Sequence, residues 1–229
     1  MGGLIFFADA LVYFAYRYVI VFKREASGPI GARALAADVA LFSVFALHHS
    51  VFARDAFRKP ITRIVGALER SFYVWIASAL FIAVCALWRP VAGAAWHVEQ
   101  PAAVWLLAAA QIVALWLTLR SASLIDIREL SGLTQVDDAR EPDAARAAPI
   151  EFKTRGPYGW VRHPIYSGWF VIVFAVQVMT MTRLVFAVTS SVYLLIAIPF
   201  EERSLRNSTQ GAYDRYIARV PWKIVPGVY

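Results

Sequence analysis

The stretch of the chain best suited to chemistry is residues 156–168, which read GPYGWVRHPIYSG. Pro164 suits the first turn of a helix, where its missing N–H costs no hydrogen bond. The free amides of a helix N-terminus attract anions such as carboxylate or phosphate, and Arg162 and His163 stand beside it as further donors. Aromatic side chains that can stack on a base or face a cation are also present. They are Tyr158, Trp160 and Tyr166.

Two adjacent carboxylates, Glu201 and Glu202, directly follow the last apolar segment. Carboxylate oxygens accept hydrogen bonds, so the pair suits the ribose hydroxyls of a nucleoside. The alternative interpretation is a solvated cluster of charges at a membrane boundary, and the residues by themselves leave both open.

A second candidate site lies in the amino-terminal half, where ionisable residues stand inside or beside apolar segments. Such residues are costly in a membrane and suggest function. Because histidine titrates near neutral pH, His48 or His49 suits the removal of a proton from a bound substrate, and His49 is the candidate base. The other candidate substrate contacts are His48, Ser50, Glu69 and Arg70. The alternatives are histidines that only pack against neighbouring helices and a structural Glu69–Arg70 ion pair.

Composition decides which elements hold these residues. Of 229 residues, 59% are hydrophobic and 17% are charged, whereas soluble domains are about 45–50% apolar and about 25% charged. This excludes an ordinary soluble enzyme, and no nucleic-acid partner is expected, because the formal charge of +7 is interpreted as arginines beside a bilayer. The single cysteine, Cys85, excludes a disulfide framework and cysteine-rich metal sites. No metal is expected.

Six segments are long and apolar enough, or nearly so, to cross a membrane, since a helical span needs about 20 residues. They are residues 4–22, 35–53, 71–88, 101–119, 164–182 and 184–200. The last two meet at Thr182-Arg183, which predicts a tight hairpin, and Tyr213, Tyr216 and Val220 recur at helical spacing. The predicted fold is all-α: a polytopic integral membrane protein of about six transmembrane helices with a C-terminal helical hairpin and an amphipathic cytoplasmic tail helix.

The positions of the basic residues predict the orientation. Most of them fall in loops and a tail that share one side if both termini are cytoplasmic, as the positive-inside rule favours. The predicted organisation has three parts. Residues 1–120 form four transmembrane helices, residues 121–163 a cytoplasmic loop with a flexible insert, and residues 164–229 a hairpin and tail that form the cofactor site.

The motif RHPIYSG at 162–168, with EERSL at 201–205 and GAYDRYIARVP at 211–221, resembles the C-terminal half of the isoprenylcysteine carboxyl methyltransferase and phospholipid methyltransferase superfamily. Its members are polytopic membrane enzymes that use S-adenosylmethionine. The resemblance implies a cofactor pocket between the last two helices, closed by the tail. The candidate cofactor-binding residues are Tyr158, Arg162, His163, Pro164, Ile165, Tyr166, Gly168, Glu201 and Glu202.

Further motifs narrow the resemblance to the bacterial methanethiol S-methyltransferases and the related NnrU-like membrane proteins, which implies a bacterial inner membrane. That group tends to have Gln-His-Ser where this chain has His48-His49-Ser50, and Asn-His at Asp126-Ile127, so the acceptor stays open. The prenylcysteine branch usually has an arginine just before the acidic pair. Its absence here counts against carboxyl methylation. The narrower resemblance is carried by ALHHSVFAR at 46–54, ERSFYV at 69–74, WRP at 88–90 and LIDIRELSGLTQ at 124–135.

The sequence therefore predicts a membrane-embedded, S-adenosylmethionine-dependent methyltransferase whose acceptor is small or lipophilic, with a thiol favoured over oxygen or nitrogen. The expected partners are membrane lipids and the acceptor, and the oligomeric state is left open. One alternative is an NADPH-dependent membrane reductase of related scaffold, and another is a non-catalytic NnrU-like membrane protein. Basic residues available for NADPH phosphates are Arg155, Arg203 and Arg206.

Overall fold

The structure is a computed structural model of the chain, and it describes residues 2–28, 31–52, 66–124, 155–209 and 211–229. Most of these residues are helical. In chain order the elements are α1 (Gly2–Tyr16), a π-helical turn (Arg17–Val21), α2 (Ala32–Phe52), a 3₁₀ turn (Gly66–Leu68), α3 (Glu69–Leu87), β1 (Ala94–His97), α4 (Pro101–Leu124), a 3₁₀ turn (Gly156–Gly159), α5 (Pro164–Phe174), β2 (Val178–Thr180), α6 (Met181–Ser208) and α7 (Ala212–Arg219).

Three helical segments in the described ranges are long and apolar enough to cross a membrane: Gly2–Val21, Pro101–Leu124 and Met181–Ser208. Together with the predominance of helix, they agree with the predicted class of α-helical integral membrane protein. The described chain groups into two compact units. The first contains the described residues up to 97 together with residues 178–189, and the second contains residues 98–124, 155–177 and the described residues from 190 onward.

The first unit has an aromatic core centred on Phe186, which is fully buried. Five rings surround it, with centroids between 5.1 and 6.0 Å from that of Phe186. They are Phe14, Tyr18, Phe22, Phe42 and Trp88. Such aromatic contacts supply much of the packing energy of a core.

Arg183 is buried within the first unit, where it is 4% exposed. Its Nη1 donates to the Val178 carbonyl at 2.6 Å, and its Nη2 donates to the Tyr18 carbonyl at 2.7 Å. The guanidinium thus joins a carbonyl of β2 to a carbonyl of the π-helical turn, where the last carbonyls lack helical partners. It also lies 5.2 Å from the centroid of the Tyr18 ring.

Strands β1 and β2 form a small antiparallel pair that the all-α prediction does not include, with His97 opposite Val178. β1 lies between α3 and α4, and β2 lies in the segment that joins α5 to α6. The prediction that two helices meet at Thr182-Arg183 is wrong, because α6 already begins at Met181 and residues 175–180 separate it from α5.

Helix α5 is shorter than the predicted segment 164–182. It has 11 residues, and at 1.5 Å per residue it is about 17 Å long, roughly half of a bilayer's hydrocarbon thickness. The Gln111 amide donates to the carbonyls of Ile172 at 3.0 Å and Ala175 at 2.9 Å. This side chain from α4 binds carbonyls at the end of α5 that have no helical partner. The six-span count stays a prediction.

Helices α4 and α5 pack closely in the second unit at Gly168. A Cβ added to Gly168 would lie 2.1 Å from Thr118 Oγ1 and 3.0 Å from the Ala114 carbonyl oxygen. Only glycine fits this approach without a shift of one of the two helices.

Candidate active site

A buried ion pair forms the centre of the candidate site in the second unit. Arg162 Nε donates to Glu202 Oε1 at 2.8 Å, and both side chains are about 5% exposed or less. Arg162 Nη1 also donates to the carbonyls of Val220 at 2.9 Å and Pro221 at 2.5 Å. One guanidinium therefore joins the turn before α5, helix α6 and the tail after α7.

His163 binds the same carboxylate from the other side, with Nε2 3.2 Å from Glu202 Oε1. Because an ionised carboxylate can only accept a hydrogen bond, Nε2 carries the hydrogen in this contact. His163 Nδ1 lies 3.8 Å from Glu201 Oε2. The imidazole ring stacks on Tyr166, with centroids 5.3 Å apart and planes 9° apart.

The two glutamates have different environments. Glu202 is buried and bound by Arg162 and His163, whereas the side chain of Glu201 is 45% exposed. Tyr166 donates its hydroxyl to Glu201 Oε2 at 2.9 Å, which orients this carboxylate but leaves most of its lone pairs open. Of the two, Glu201 is the acid that a ligand can reach.

The tail runs along the beginning of α5. The main-chain N–H groups of Arg162 and His163 donate to the carbonyls of Trp222 at 2.9 Å and Lys223 at 2.8 Å. Ser167 donates its hydroxyl to the Ile224 carbonyl at 2.6 Å. Ser167 and the tail carbonyls were not among the predicted site residues. Every residue has a main-chain carbonyl, so the residue types of the tail do not mark which carbonyls act as acceptors.

Helix α7 anchors this tail. Tyr213 and Tyr216 are buried with Val220 in one apolar cluster, and Tyr216 donates its hydroxyl to the Tyr158 carbonyl at 2.8 Å. Burial, with a smaller contribution from the Glu201 carboxylate, raises the pKa of the Tyr158 phenol to about 12. Tyr158 therefore keeps its proton at neutral pH and is available as a donor.

The remaining candidate cofactor residues lie in the first turns of α5. The predicted helix start at Pro164 is confirmed, and its ring is buried. Ile165 follows it and is partly buried. Gly168 makes the close approach to α4, and its predicted contact with a cofactor stays a prediction.

The candidate acceptor residues lie in the first unit. Tyr73 Oη is 2.8 Å from His49 Nδ1, and the Tyr73 ring stacks on His48 with planes 14° apart. Sequence reasoning did not single out Tyr73, although it lies in the quoted motif at 69–74. Ser50 lies near the end of α2, and Glu69 is buried at the start of α3.

Some of the predicted positions cannot be compared with the structure. The side chain of Arg70 and residues 126–127 lie outside the described part of the chain. Over the ranges that the structure describes, no group of three or more His, Cys, Asp or Glu side chains is arranged to hold a metal ion.

The chain is similar to a known protein family and to several known proteins. Residues 148–207 match the isoprenylcysteine carboxyl methyltransferase family. A methanethiol S-methyltransferase of Crocosphaera subtropica is 35% identical over 83% of this chain and 74% of its own length. A methanethiol S-methyltransferase of Mycobacterium tuberculosis is 37% identical over 86% of this chain and 81% of its own. Nurim of Xenopus laevis is 30% identical over 69% of this chain and 57% of its own.

No solved structure matches the chain. The fold and the site define a helical membrane protein in which an RHP turn, an acidic pair and a C-terminal tail are bound to one another. The chain belongs to the isoprenylcysteine carboxyl methyltransferase family and, within it, to the group of the methanethiol S-methyltransferases.

Proposed function

We propose that this protein is a membrane methyltransferase that transfers the methyl group of S-adenosylmethionine to a small or lipophilic acceptor, with a thiol favoured over oxygen or nitrogen. The observation that carries the proposal is the arrangement around Glu201. An exposed carboxylate, oriented by Tyr166, stands beside the parallel rings of His163 and Tyr166, within the segment matched to the family.

The chemistry of these side chains fits S-adenosylmethionine. Glu201 has open carboxylate lone pairs, which suit two neighbouring ribose hydroxyls. The aromatic faces of Tyr158 and Tyr166 suit a flat base or a cation. When bound, S-adenosylmethionine supplies a methyl group on a positively charged sulfur, which a nucleophile can displace without a covalent enzyme intermediate.

The chain's own contribution is orientation and the removal of competing charge. Because Arg162 neutralises Glu202 and His163 hydrogen-bonds to it, the open negative charge beside α5 is that of Glu201. The main-chain bonds from Arg162 and His163 to the tail fix the position of the turn before α5. Holding reactants in a reactive geometry supplies a large part of enzymatic rate enhancement.

For the acceptor, we propose that His49 removes the thiol proton and that the acceptor contacts include His48, Ser50, Glu69 and Arg70. The Tyr73 hydroxyl occupies His49 Nδ1, and it is also 3.3 Å from the His49 carbonyl oxygen. A tyrosine has one hydroxyl hydrogen. When Tyr73 donates it to the carbonyl, Nδ1–H donates to Tyr73 and Nε2 is the basic nitrogen.

We further propose six membrane crossings with both termini in the cytoplasm of a bacterial inner membrane. The basic residues of the loops and tail support this orientation. Helix α5 is too short to cross alone, so the proposed fifth crossing includes residues 175–180, of which Val178–Thr180 form β2. The proposed partners remain membrane lipids and the methyl acceptor, with no nucleic acid.

Glu201→Gln is expected to weaken S-adenosylmethionine binding by about ten- to hundredfold, because hydrogen bonds to a charged group contribute about 1.5–3 kcal/mol. The exposed position predicts almost no change in melting temperature. Isothermal titration of the detergent-solubilised proteins measures the S-adenosylmethionine affinities of Glu201→Gln and of the unchanged protein. Asp214→Asn is the control, since it removes an exposed carboxylate elsewhere in the second unit. Equal affinities of Glu201→Gln and the unchanged protein would contradict the assignment.

The acceptor is tested by incubating the purified protein with methyl-labelled S-adenosylmethionine and a panel of thiols, prenylcysteine analogues and aminophospholipids. Label in a thioether supports the proposed acceptor class. Label in an ester or an amine keeps the methyltransferase but replaces the acceptor. Binding of NADPH instead of S-adenosylmethionine indicates the reductase alternative, and binding of neither indicates a non-catalytic protein.

A further inference from the structure

A hollow lies in the second unit, and its lining does not include the residues assigned to the methyl donor. Its volume is about 570 Å³, and the tail and the turn before α5 form its walls. The lining includes Trp160, Arg219, Pro221, Trp222 and Pro226. None of these five residues is among the candidate cofactor or acceptor residues, although the Pro221 and Trp222 carbonyls accept hydrogen bonds from Arg162.

The walls of this hollow, which we call the tail groove, are aromatic and open to the surroundings. Trp160 is 55% exposed and Trp222 is 38% exposed. The Trp160 ring also contacts that of Trp116, with centroids 6.5 Å apart. Trp116 is itself half-exposed on α4, a helix long and apolar enough to cross a membrane.

This continuity locates the tail groove relative to the lipid. Tryptophan is enriched where a spanning helix leaves the hydrocarbon, because its ring is apolar and its N–H is polar. Trp116 lies near the end of the predicted span 101–119. The aromatic wall therefore runs from an exposed side of α4 into the groove, and the enrichment of tryptophan at membrane interfaces favours a position at the lipid headgroups.

The charge in the tail groove is positive. Arg219 lies in the last turn of α7 and is exposed, and no ion-pair partner for it is found among the described residues. Lys223 follows Trp222, and its ammonium group contacts the ring and hydroxyl of Tyr229, neither of which neutralises it. A guanidinium binds phosphate with two parallel hydrogen bonds.

We propose that the tail groove binds an anionic phospholipid, with the phosphate on Arg219 and the glycerol and first acyl methylenes against Trp160 and Trp222. Apolar walls joined to a membrane-spanning helix and a cation at the far end match the two halves of such a lipid. A soluble phosphate uses only the cation. This proposal does not depend on the methyltransferase proposal, since it concerns other residues.

Native mass spectrometry of the full chain in non-ionic detergent, without methyl donor, tests this proposal. We expect phosphatidylglycerol to remain bound at least about fivefold better than phosphatidylcholine of the same acyl chains, in line with the attraction that one basic residue contributes to an anionic lipid surface. Arg219→Gln should lose this preference. Arg215→Gln is the matched control, because it removes an exposed arginine one turn earlier on α7 without touching the groove.

A second variant separates lipid from free phosphate. Trp222→Leu keeps every charge but removes an aromatic wall, and we expect it to reduce phosphatidylglycerol retention as well. Equal retention of the two lipids, or Arg219→Gln behaving as the unchanged protein, would overturn the proposal. So would glycerol 3-phosphate displacing the lipid at equal concentration, because the site would then recognise phosphate alone.

Discussion

Glu202→Ala is expected to lower the free energy of unfolding by about 3–5 kcal/mol, the usual cost of leaving a buried charge without its partner. For a chain of this size that corresponds to a fall of roughly 6–20 °C in melting temperature. Arg162 would keep its bonds to the Val220 and Pro221 carbonyls but would lose its carboxylate. Thermal unfolding in detergent, followed by circular dichroism, measures the change.

The same substitution is expected to abolish methyl transfer, because the pair of Arg162 and Glu202 holds the tail against the start of α5.

Two further variants isolate the contribution of this ion pair to stability. Glu201→Gln changes an exposed acid and should leave the melting temperature nearly unchanged. Arg162→Met combined with Glu202→Leu removes both buried charges, so it should be more stable than Glu202→Ala alone. Arg162→Met and Glu202→Leu are also measured singly. If the loss of stability in the double variant equals the sum of these two single losses, the two groups do not act as a pair.

Gly168→Ala is the second substitution with a large expected effect, a destabilisation of about 1–3 kcal/mol from overpacking. The new methyl group would meet Thr118 Oγ1 at 2.1 Å. Thr118 is held in place by its own hydrogen bond to the Ala114 carbonyl at 2.9 Å. We therefore expect α5 to move away from α4 and methyl transfer to fall, as measured by melting temperature and turnover together.

A rescue experiment distinguishes packing from ligand contact at this glycine. Thr118→Ala added to Gly168→Ala removes the 2.1 Å contact and should restore part of the stability, while the 3.0 Å approach to the Ala114 oxygen remains. If stability recovers and S-adenosylmethionine affinity does not, Gly168 contacts the methyl donor as the resemblance implies. Gly168→Ala that melts like the unchanged protein would show that the interface between α4 and α5 is more open than the structure indicates.

The acidic pair shows how far sequence reasoning reaches at this site. Adjacent residues on an α-helix point about 100° apart, so one member of a pair after an apolar helix can face inward and the other outward. Sequence alone does not say which, because the answer depends on where Arg162 and His163 lie, about 40 positions earlier in the chain. The structure buries Glu202 and exposes Glu201, so the two carboxylates differ in their access to a ligand.

The fifth segment shows the same limit for the fold. Its hydropathy continues past Phe174, so composition predicts a helix of full span length over 164–182. The helix instead ends at Phe174, where Gln111 of α4 binds the carbonyls of Ile172 and Ala175, and the chain continues into β2 at Val178, which pairs with β1. Hydropathy measures transfer from water to lipid, and it does not distinguish a helix from an extended segment whose polar groups are bonded to another part of the chain.

The residue order alone determined the class of protein, the existence of apolar helices, the start of α5 at Pro164 and the segment that carries the family motifs. These are local properties, set by composition and by spacing within one or two helical turns. The tertiary structure decided which glutamate is buried, why residue 168 is glycine, which hydroxyl meets His49 and where the tail lies. Each of these depends on contacts between residues far apart in the chain, and such contacts are selected by the packing of the whole fold.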